Sequence, residues 1–306
     1  MGNSRAVLAR AFARLSSFLL LALVLGGACT GDDGPIGPTG PAGSQGPTGP
    51  QGPTGNALGR TIYGVDTGNA LVVFGALRPD VIQRRAVITG LQPGEQALGI
   101  DFRPLDGKLY ALGSSNRVYT LDTLTAVATA VGSAAFAPAL SGASFGVDFN
   151  PVPDRIRVHS DQRQDLRLNP VTGALAAVDS ALTYRAGDPG FGSAPTVAGT
   201  AYTNGIAGAT MTTLFAIDAA RDALVILPNP NDGLLTSVGL FGVNTTADVG
   251  FDIAGNNGTA LVTLTTGLGA NGTGSTLFQI NLSSGSLFVV GNISNAAPLR
   301  GIAIAP

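Results

Sequence analysis

Three aspartates hold one place in a repeated word. Asp101, Asp148 and Asp252 are the third residues of Gly99-Ile-Asp-Phe, Gly146-Val-Asp-Phe and Gly250-Phe-Asp-Ile. Ala201 and Ala303 take that place in Gly199-Thr-Ala-Tyr and Gly301-Ile-Ala-Ile. If these words line one channel, three carboxylates could ring a hard cation such as calcium, which takes oxygen ligands. The architectural alternative is that each carboxylate accepts a backbone N–H of its own turn or of the next repeat. A second cluster is basic. Arg155, Arg157 and His159 alternate along one stretch, so in a strand they share a face. Arg167, on the pairing stretch, could join them. Such a patch could take an anionic sugar or carboxylate through bidentate arginine contacts. The alternative is an ordinary outer face, with Asp154, Asp161 and Asp165 as ion-pair partners.

Other chemistry is narrowed by what the chain carries. His159 is the only histidine and Cys29 the only cysteine, so no metal site can be built from His and Cys. A Ser-His-Asp triad would have to use His159. No HExxH or phosphate-loop pattern occurs. The glycine-rich stretch from Gly255 to Gly274 lacks a lysine and a following helix, so it reads as a loop. Tyr63, Tyr110, Tyr119, Tyr184 and Tyr202 could stack on sugars, but most lie inside strand-like runs and read as core. Charged residues make up 12% of the chain and the net charge is −2, which argues against a nucleic-acid partner. No catalytic residue, metal or cofactor is assigned, beyond the calcium reading of the aspartates.

The elements that must position these residues follow from a period. The word glycines Gly99, Gly146, Gly199, Gly250 and Gly301 lie 47, 53, 51 and 51 residues apart. Self-similarity near 50 residues points to a repeat architecture. Each unit reads as four short strands. The unit from Ala97 to Gly132, for example, runs ALGIDFRP, KLYALGS, RVYTLD and AVATAVG. The turn before the last strand recurs as Asp122-Thr-Leu-Thr-Ala126, Asn169-Pro-Val-Thr-Gly173 and Asn281-Leu-Ser-Ser-Gly285. An Asp or Asn opens it and a small residue closes it. Residues 60–91 supply only three strands, TIYGVD, ALVVF and AVITG, and the C-terminus supplies one, RGIAIA. The last strand therefore completes the first unit. The expected fold is an all-β, five-bladed β-propeller of four-stranded antiparallel blades, its first blade closed by the C-terminal strand. A two-sheet sandwich is the alternative, but it gives no reason for a constant period.

The GIDF, LYALG and LRLNP-x-TG words resemble a family of exported bacterial repeat domains of unknown function, over roughly residues 60–306. That resemblance implies the repeat fold and no activity.

The first sixty residues differ in kind. Arg5, Arg10 and Arg14 precede an apolar run, Phe18 to Leu25, too short to span a bilayer. Small residues and then Cys29 follow. The stretch resembles a bacterial lipoprotein signal, which implies lipidation of Cys29 and anchoring to a membrane. It departs from that pattern at Gly26, which stands where leucine is usual, and the alternative is a plain secretion signal. From Gly31 to Gly55 glycine holds every third place, the sequence signature of collagen. The stretch is either a polyproline-II spacer, at ~3.1 Å per residue roughly 75 Å long, or a trimerising stalk. The domains are then a signal peptide (1–28), the lipid-anchor cysteine with a Gly-X-Y spacer (29–59) and the propeller (60–306).

The preferred expectation is a non-catalytic, exported, membrane-anchored propeller that binds a protein or glycan. One alternative is a structural homotrimer, joined through residues 31–55, in an envelope or matrix appendage. A second is a lyase or hydrolase acting on polysaccharide.

Overall fold

The computed structural model describes residues 58–267, 274–294 and 296–306. Cys29 and the Gly-X-Y stretch lie outside the described residues. The described chain forms twenty-one strands and no α-helix. Five sheets stand around one axis. Blade I pairs β1 (Thr61–Asp66), β2 (Ala70–Gly75) and β3 (Arg78–Val87) with the C-terminal β21 (Leu299–Ile304). Blade II holds β4 (Ala97–Phe102), β5 (Leu109–Gly113), β6 (Arg117–Leu121) and β7 (Ala128–Val131). Blade III holds β8 (Phe145–Asn150), β9 (Arg155–Ser160), β10 (Asp165–Leu168) and β11 (Leu175–Val178). Blade IV holds β13 (Val197–Tyr202), β14 (Leu214–Asp218), β15 (Ala223–Leu227) and β16 (Leu234–Leu240). Blade V holds β17 (Val249–Ile253), β18 (Ala260–Leu264), β19 (Thr276–Ile280) and β20 (Leu287–Asn292). The fold is thus a five-bladed propeller closed by its last strand, with Ile62 opposite Ile304 and Val65 opposite Gly301.

Two elements differ from the sequence reading. The third strand of blade I begins at Arg78 rather than near Ala86. It is an outer-edge strand, and its exposed positions carry charges that read as loop. Blade IV has a fifth strand, β12 (Thr183–Tyr184), laid parallel against β16. Two residues are too few to leave a periodic signal.

The innermost strands, β21, β4, β8, β13 and β17, neighbour one another in a closed ring. The periodic glycines sit at these contacts. A Cβ on Gly99 would stand 2.6 Å from Val147, and one on Gly146 would stand 2.3 Å from Thr200 Oγ1. On Gly199 it would meet Phe251 at 3.0 Å, on Gly250 Ile302 at 2.8 Å, and on Gly301 the Cα of Gly99 at 3.1 Å. Every word glycine therefore faces the inner strand of the next blade. A close backbone approach of this kind leaves no room for a side chain.

Between blades lie apolar seams, which carry most of the favourable energy of such a ring. Seam I–II buries Val65, Leu71, Ile100 and Tyr119. Seam II–III buries Tyr110, Phe145, Phe149 and Val158. Seam IV–V buries Phe215, Ile217, Phe251 and Phe278, and seam V–I buries Ile62, Phe74, Leu277 and Ile302. Seam III–IV is different. Blade IV offers an apolar face with Tyr202 and Leu214, but blade III answers it with Arg157 and His159, both buried.

Candidate functional site

The three aspartates meet. Each stands near the C-terminal end of an inner strand, and one carboxylate oxygen from each lies within 4.8 Å of the others. All three side chains are buried. They line a cavity of about 80 Å³ at the axial mouth, together with Tyr202, Arg60 and Ile206.

Their hydrogen bonds show how the sequence puts them there. Asp101 accepts from Phe102 N, its own neighbour, and from Phe149 N in the next blade, both at 2.7 Å. Asp148 accepts from Tyr202 N in blade IV at 3.1 Å. Asp252 accepts from Ile253 N and, across the closing seam, from Ile304 N, both at 2.6 Å. Each aspartate therefore latches its blade to the next one. This is the architectural arrangement that repetition of the word allowed, and it converges on a single point.

The electrostatics of the trio are unfavourable to three full charges. Burial pushes the Asp101 carboxyl well above the usual range, and the Asp252 charge adds to the rise. Asp148 is raised by burial and then by Asp101 and Asp252. Asp252 is pushed up to about 6 by burial, against the pull of its two backbone donors and of the Arg60 charge. The N–H dipoles favour ionisation, while desolvation and mutual repulsion oppose it and prevail. Neither nearby arginine forms an ion pair with the trio. Arg60 bonds Ala305 O and Asn256, and Arg103 pairs with Asp106 and Asp154. The trio can therefore take up protons or a cation.

The basic set does not form an open anion patch. Arg157 lies inside seam III–IV, only 1% exposed. It donates to Asp165 and Asp179, each at 2.6 Å, to Asn231 at 2.7 Å and to Tyr202 Oη at 3.2 Å. Arg167 pairs with the same Asp179 at 2.7 Å. His159 is fully buried, its Nδ1 2.9 Å from Thr200 Oγ1 and its Nε2 3.4 Å from Asp165. Arg155 donates to the carbonyls of Pro153 and Asp154 and stands apart from the others. The alternation along β9 is real, but the face it marks is turned inward. Two arginines against two aspartates neutralise the seam, as burial of charge requires.

Of the expected ion-pair partners, Asp165 serves Arg157, whereas Asp154 serves Arg103. Asp161 accepts from Ala143 N. Asp179 was not legible as a partner, since it lies 22 residues from Arg157 and just past the end of β11. Four tyrosines are buried, as their strand positions implied. Tyr63 is half-buried, edge-on to Phe102 at 5.4 Å. The string Gly142-Ala-Ser-Phe-Gly146 has the spacing of a nucleophile elbow. Here it runs from a loop into β8, with no helix after it. Ser144 O accepts from Asp161 N, so the segment is a loop clasp.

No curated protein matches the chain. Several solved structures are similar in outline. A nidogen/laminin complex aligns at TM-score 0.42 and 12% identity, over 81% of this chain and 99% of that one. A structural-genomics protein of unknown function from Bacteroides thetaiotaomicron aligns at 0.46 and 14%, over 81% and 67%. Myxococcus xanthus glutaminyl cyclase aligns at 0.41 and 13%, over 63% and 76%. At such scores these likenesses carry no argument about activity. Residues 70–303 match the family described as a domain of unknown function, DUF4394, and the chain belongs to that family.

Proposed function

We propose that this protein is a non-catalytic binding head, exported, held to a membrane by a lipid on Cys29 and carried on the Gly-X-Y segment 31–55. It binds an extracellular protein or glycan, and a divalent cation such as calcium sits among Asp101, Asp148 and Asp252. The observation that carries the cation reading is the trio itself. Three buried carboxylates converge on one point, and burial raises their proton affinity, with the neighbouring carboxylates adding to the rise at Asp101 and Asp148. A hard dication suits oxygen ligands and would relieve the repulsion. Its role would be to pin three inner strands at the mouth. The sealed position of His159 supports the non-catalytic reading, because it keeps the only imidazole away from any substrate.

The test is thermal unfolding in chelator and in calcium, with terbium luminescence as a direct readout of occupancy. A ligand at 100 times its Kd adds about 2.7 kcal/mol. For a domain of this size that is a rise of roughly 5–10 °C in Tm. The rise and the luminescence should both vanish in the Asp101→Asn/Asp148→Asn/Asp252→Asn variant. Absence of both in the wild-type protein would show that protons alone neutralise the trio. The same melts against cell-wall and extracellular glycans test the binding role, since a glycan that binds only the folded head must also raise Tm.

A further inference from the structure

A second cavity lies at the end of the axis opposite the aspartates, where the inner strands begin. It measures about 370 Å³ and takes its walls from four blades. Leu98 belongs to blade II, Leu140, Ser144 and Phe145 to the segment entering blade III, Asp248 to the segment entering blade V, and Arg300 to the closing strand β21. Phe145 and Arg300 also line the channel between the word glycines, whose free volume is about 10 Å³. That is room for about one water, so nothing larger passes from this cavity to the aspartates.

The polar groups of this wall are incompletely used. Arg300 is half-buried, and its guanidinium donates to neutral acceptors, Gln96 Oε1 at 2.9 Å and Thr67 O at 3.2 Å. Among the described residues no carboxylate forms an ion pair with it. Burial pulls its pKa down, and Asp248 and Asp66 act against the fall from a distance. Asp66 is already taken by Arg85. Asp248 engages its backbone N and O with Thr246 Oγ1 and Thr265 Oγ1, but among the described residues its carboxylate accepts no hydrogen bond. Ser144 gives its carbonyl to Asp161 N, and its hydroxyl has no partner among the described residues. The remaining wall is apolar, with Leu98 and Phe145 buried and Leu140 half-buried. The rim is fixed. Leu140 N donates to Asn116 Oδ1 at 2.8 Å, Ser141 N to Gln164 Oε1 at 2.9 Å and Ala143 N to Asp161 Oδ1 at 3.0 Å. A preformed cavity of this size, with an apolar wall and a few convergent polar groups, is the usual form of a small-ligand site.

We propose that this cavity binds a small carboxylate that carries a hydroxyl or ammonium group close to the acid, with Arg300 holding the carboxylate and Asp248 the neighbouring donor. A guanidinium partly withdrawn from water and without a counter-ion gains most from a carboxylate, whose two oxygens match its fork of N–H donors. Asp248 supplies the acceptor that a nearby hydroxyl or ammonium needs, and it repels a second carboxylate. The apolar wall packs against the carbon skeleton. Two sources offer this chemistry, a free hydroxy or amino acid and the uronate unit of an acidic glycan. The site is separate from the aspartate trio and does not depend on the cation reading.

The test is isothermal titration calorimetry on the full chain in chelator. The probes are L-lactate, L-alanine and D-glucuronate, with propionate (no donor) and glucose (no acid) as controls. At least one probe should saturate the protein about tenfold or more tighter than either control, and the probe that does so identifies the source. Arg300→Gln should weaken that binding by about tenfold or more, and Asp248→Ala should erase the advantage over propionate. Ala143→Trp places an indole in the cavity from its exposed rim and should abolish binding, which keeps the test decisive if Arg300→Gln fails to fold; circular dichroism melts report folding. Binding should persist in Asp101→Asn/Asp148→Asn/Asp252→Asn, so failure of the cation reading leaves this site standing. No saturation by any probe up to about 10 mM would overturn the proposal. So would binding that survives either Arg300→Gln or Ala143→Trp in a folded protein, or binding that is lost in the folded triple variant. An unchanged preference in Asp248→Ala would overturn the role given to that carboxylate.

Discussion

Replacing Gly146 by alanine probes the contact that fixes the repeat. A methyl group there would lie 2.3 Å from Thr200 Oγ1, 2.7 Å from Thr200 Cβ and 2.8 Å from the carbonyl carbon of Gly199. The last of these is backbone of the neighbouring inner strand, and Thr200 is held by His159, so neither can give way cheaply. Overpacking of this kind costs about 1–3 kcal/mol. Against this, alanine restricts the unfolded chain and returns about 0.4–1 kcal/mol. The expected net loss is about 1–2 kcal/mol, a fall in Tm of roughly 2–8 °C. Gly205→Ala is the control, because its nearest neighbour would be 3.9 Å away; there the unfolded-state gain should stand alone and stability should hold or rise. Urea unfolding followed by circular dichroism reads both. A double-mutant cycle with Thr200→Ala should show favourable coupling of about 0.5–1 kcal/mol, since the worst clash is removed. Equal stabilities for Gly146→Ala and Gly205→Ala would refute the claim that inter-blade approach sets the glycine period.

Three further outcomes follow from the same structure. In chelator, Asp252 has a folded pKa of about 6 against an ordinary 3.8, so the native state binds the extra proton; its contribution is complete below pH ~4, is lost as pH rises through ~6, and amounts to about 3 kcal/mol. Urea midpoints of the wild-type protein relative to Asp252→Asn should therefore fall between pH 4 and 7, and a flat difference would contradict it. Arg157→Met leaves Asp165 with no ion-pair partner except a histidine in seam III–IV and should cost about 3–5 kcal/mol, with Arg157→Met/Asp165→Leu recovering part of the loss in equilibrium unfolding; a surface-like effect below about 1 kcal/mol would show the seam to be wet. Deleting residues 299–306 strips β21 from β1 and removes Leu299, Ile302 and Ile304 from seam V–I, so the truncated chain should be protease-sensitive and lack a cooperative melt, whereas a folded product would mean that four blades close without it.

Legibility followed the range of the interactions involved. The glycine words, the alternating strands and the C-terminal closure were readable because each repeats in the chain at a fixed interval. The convergence of Asp101, Asp148 and Asp252 was readable for the same reason, since equal places in equal strands become neighbours around an axis. The fate of Arg157 and His159 was not. Period two says that they share a face of β9, but not whether that face meets water or the next blade. In four seams the answering residues are apolar on both sides. In the fifth, blade III carries charge, and its partners Asp179 and Asn231 lie 22 and 74 residues away. Nothing local marks such a pairing. β3 was foreshortened for a related reason, because the half-buried face of this edge strand carries Arg84 between Ile82 and Ala86, so a charge interrupts its apolar period.

The presence of aspartate in three words but not five has a physical account. Five inner strands present five N–H groups at the mouth: Phe102, Phe149, Tyr202, Ile253 and Ile304. Asp101 takes the first two, Asp148 the third, and Asp252 the last two. Three carboxylates thus satisfy all five donors, with five of their six oxygens engaged. An aspartate at Ala201 would face the N–H of Ile253, already held by Asp252, and one at Ala303 would face that of Phe102, already held by Asp101. Either would bury a further charge beside three whose proton affinity is already raised, with no donor left to offset it. Alanine at those two places is therefore part of the site's design. The same accounting leaves Asp148 with a single backbone donor, so its remaining oxygen is the one best placed to meet a cation or a proton at the centre of the ring.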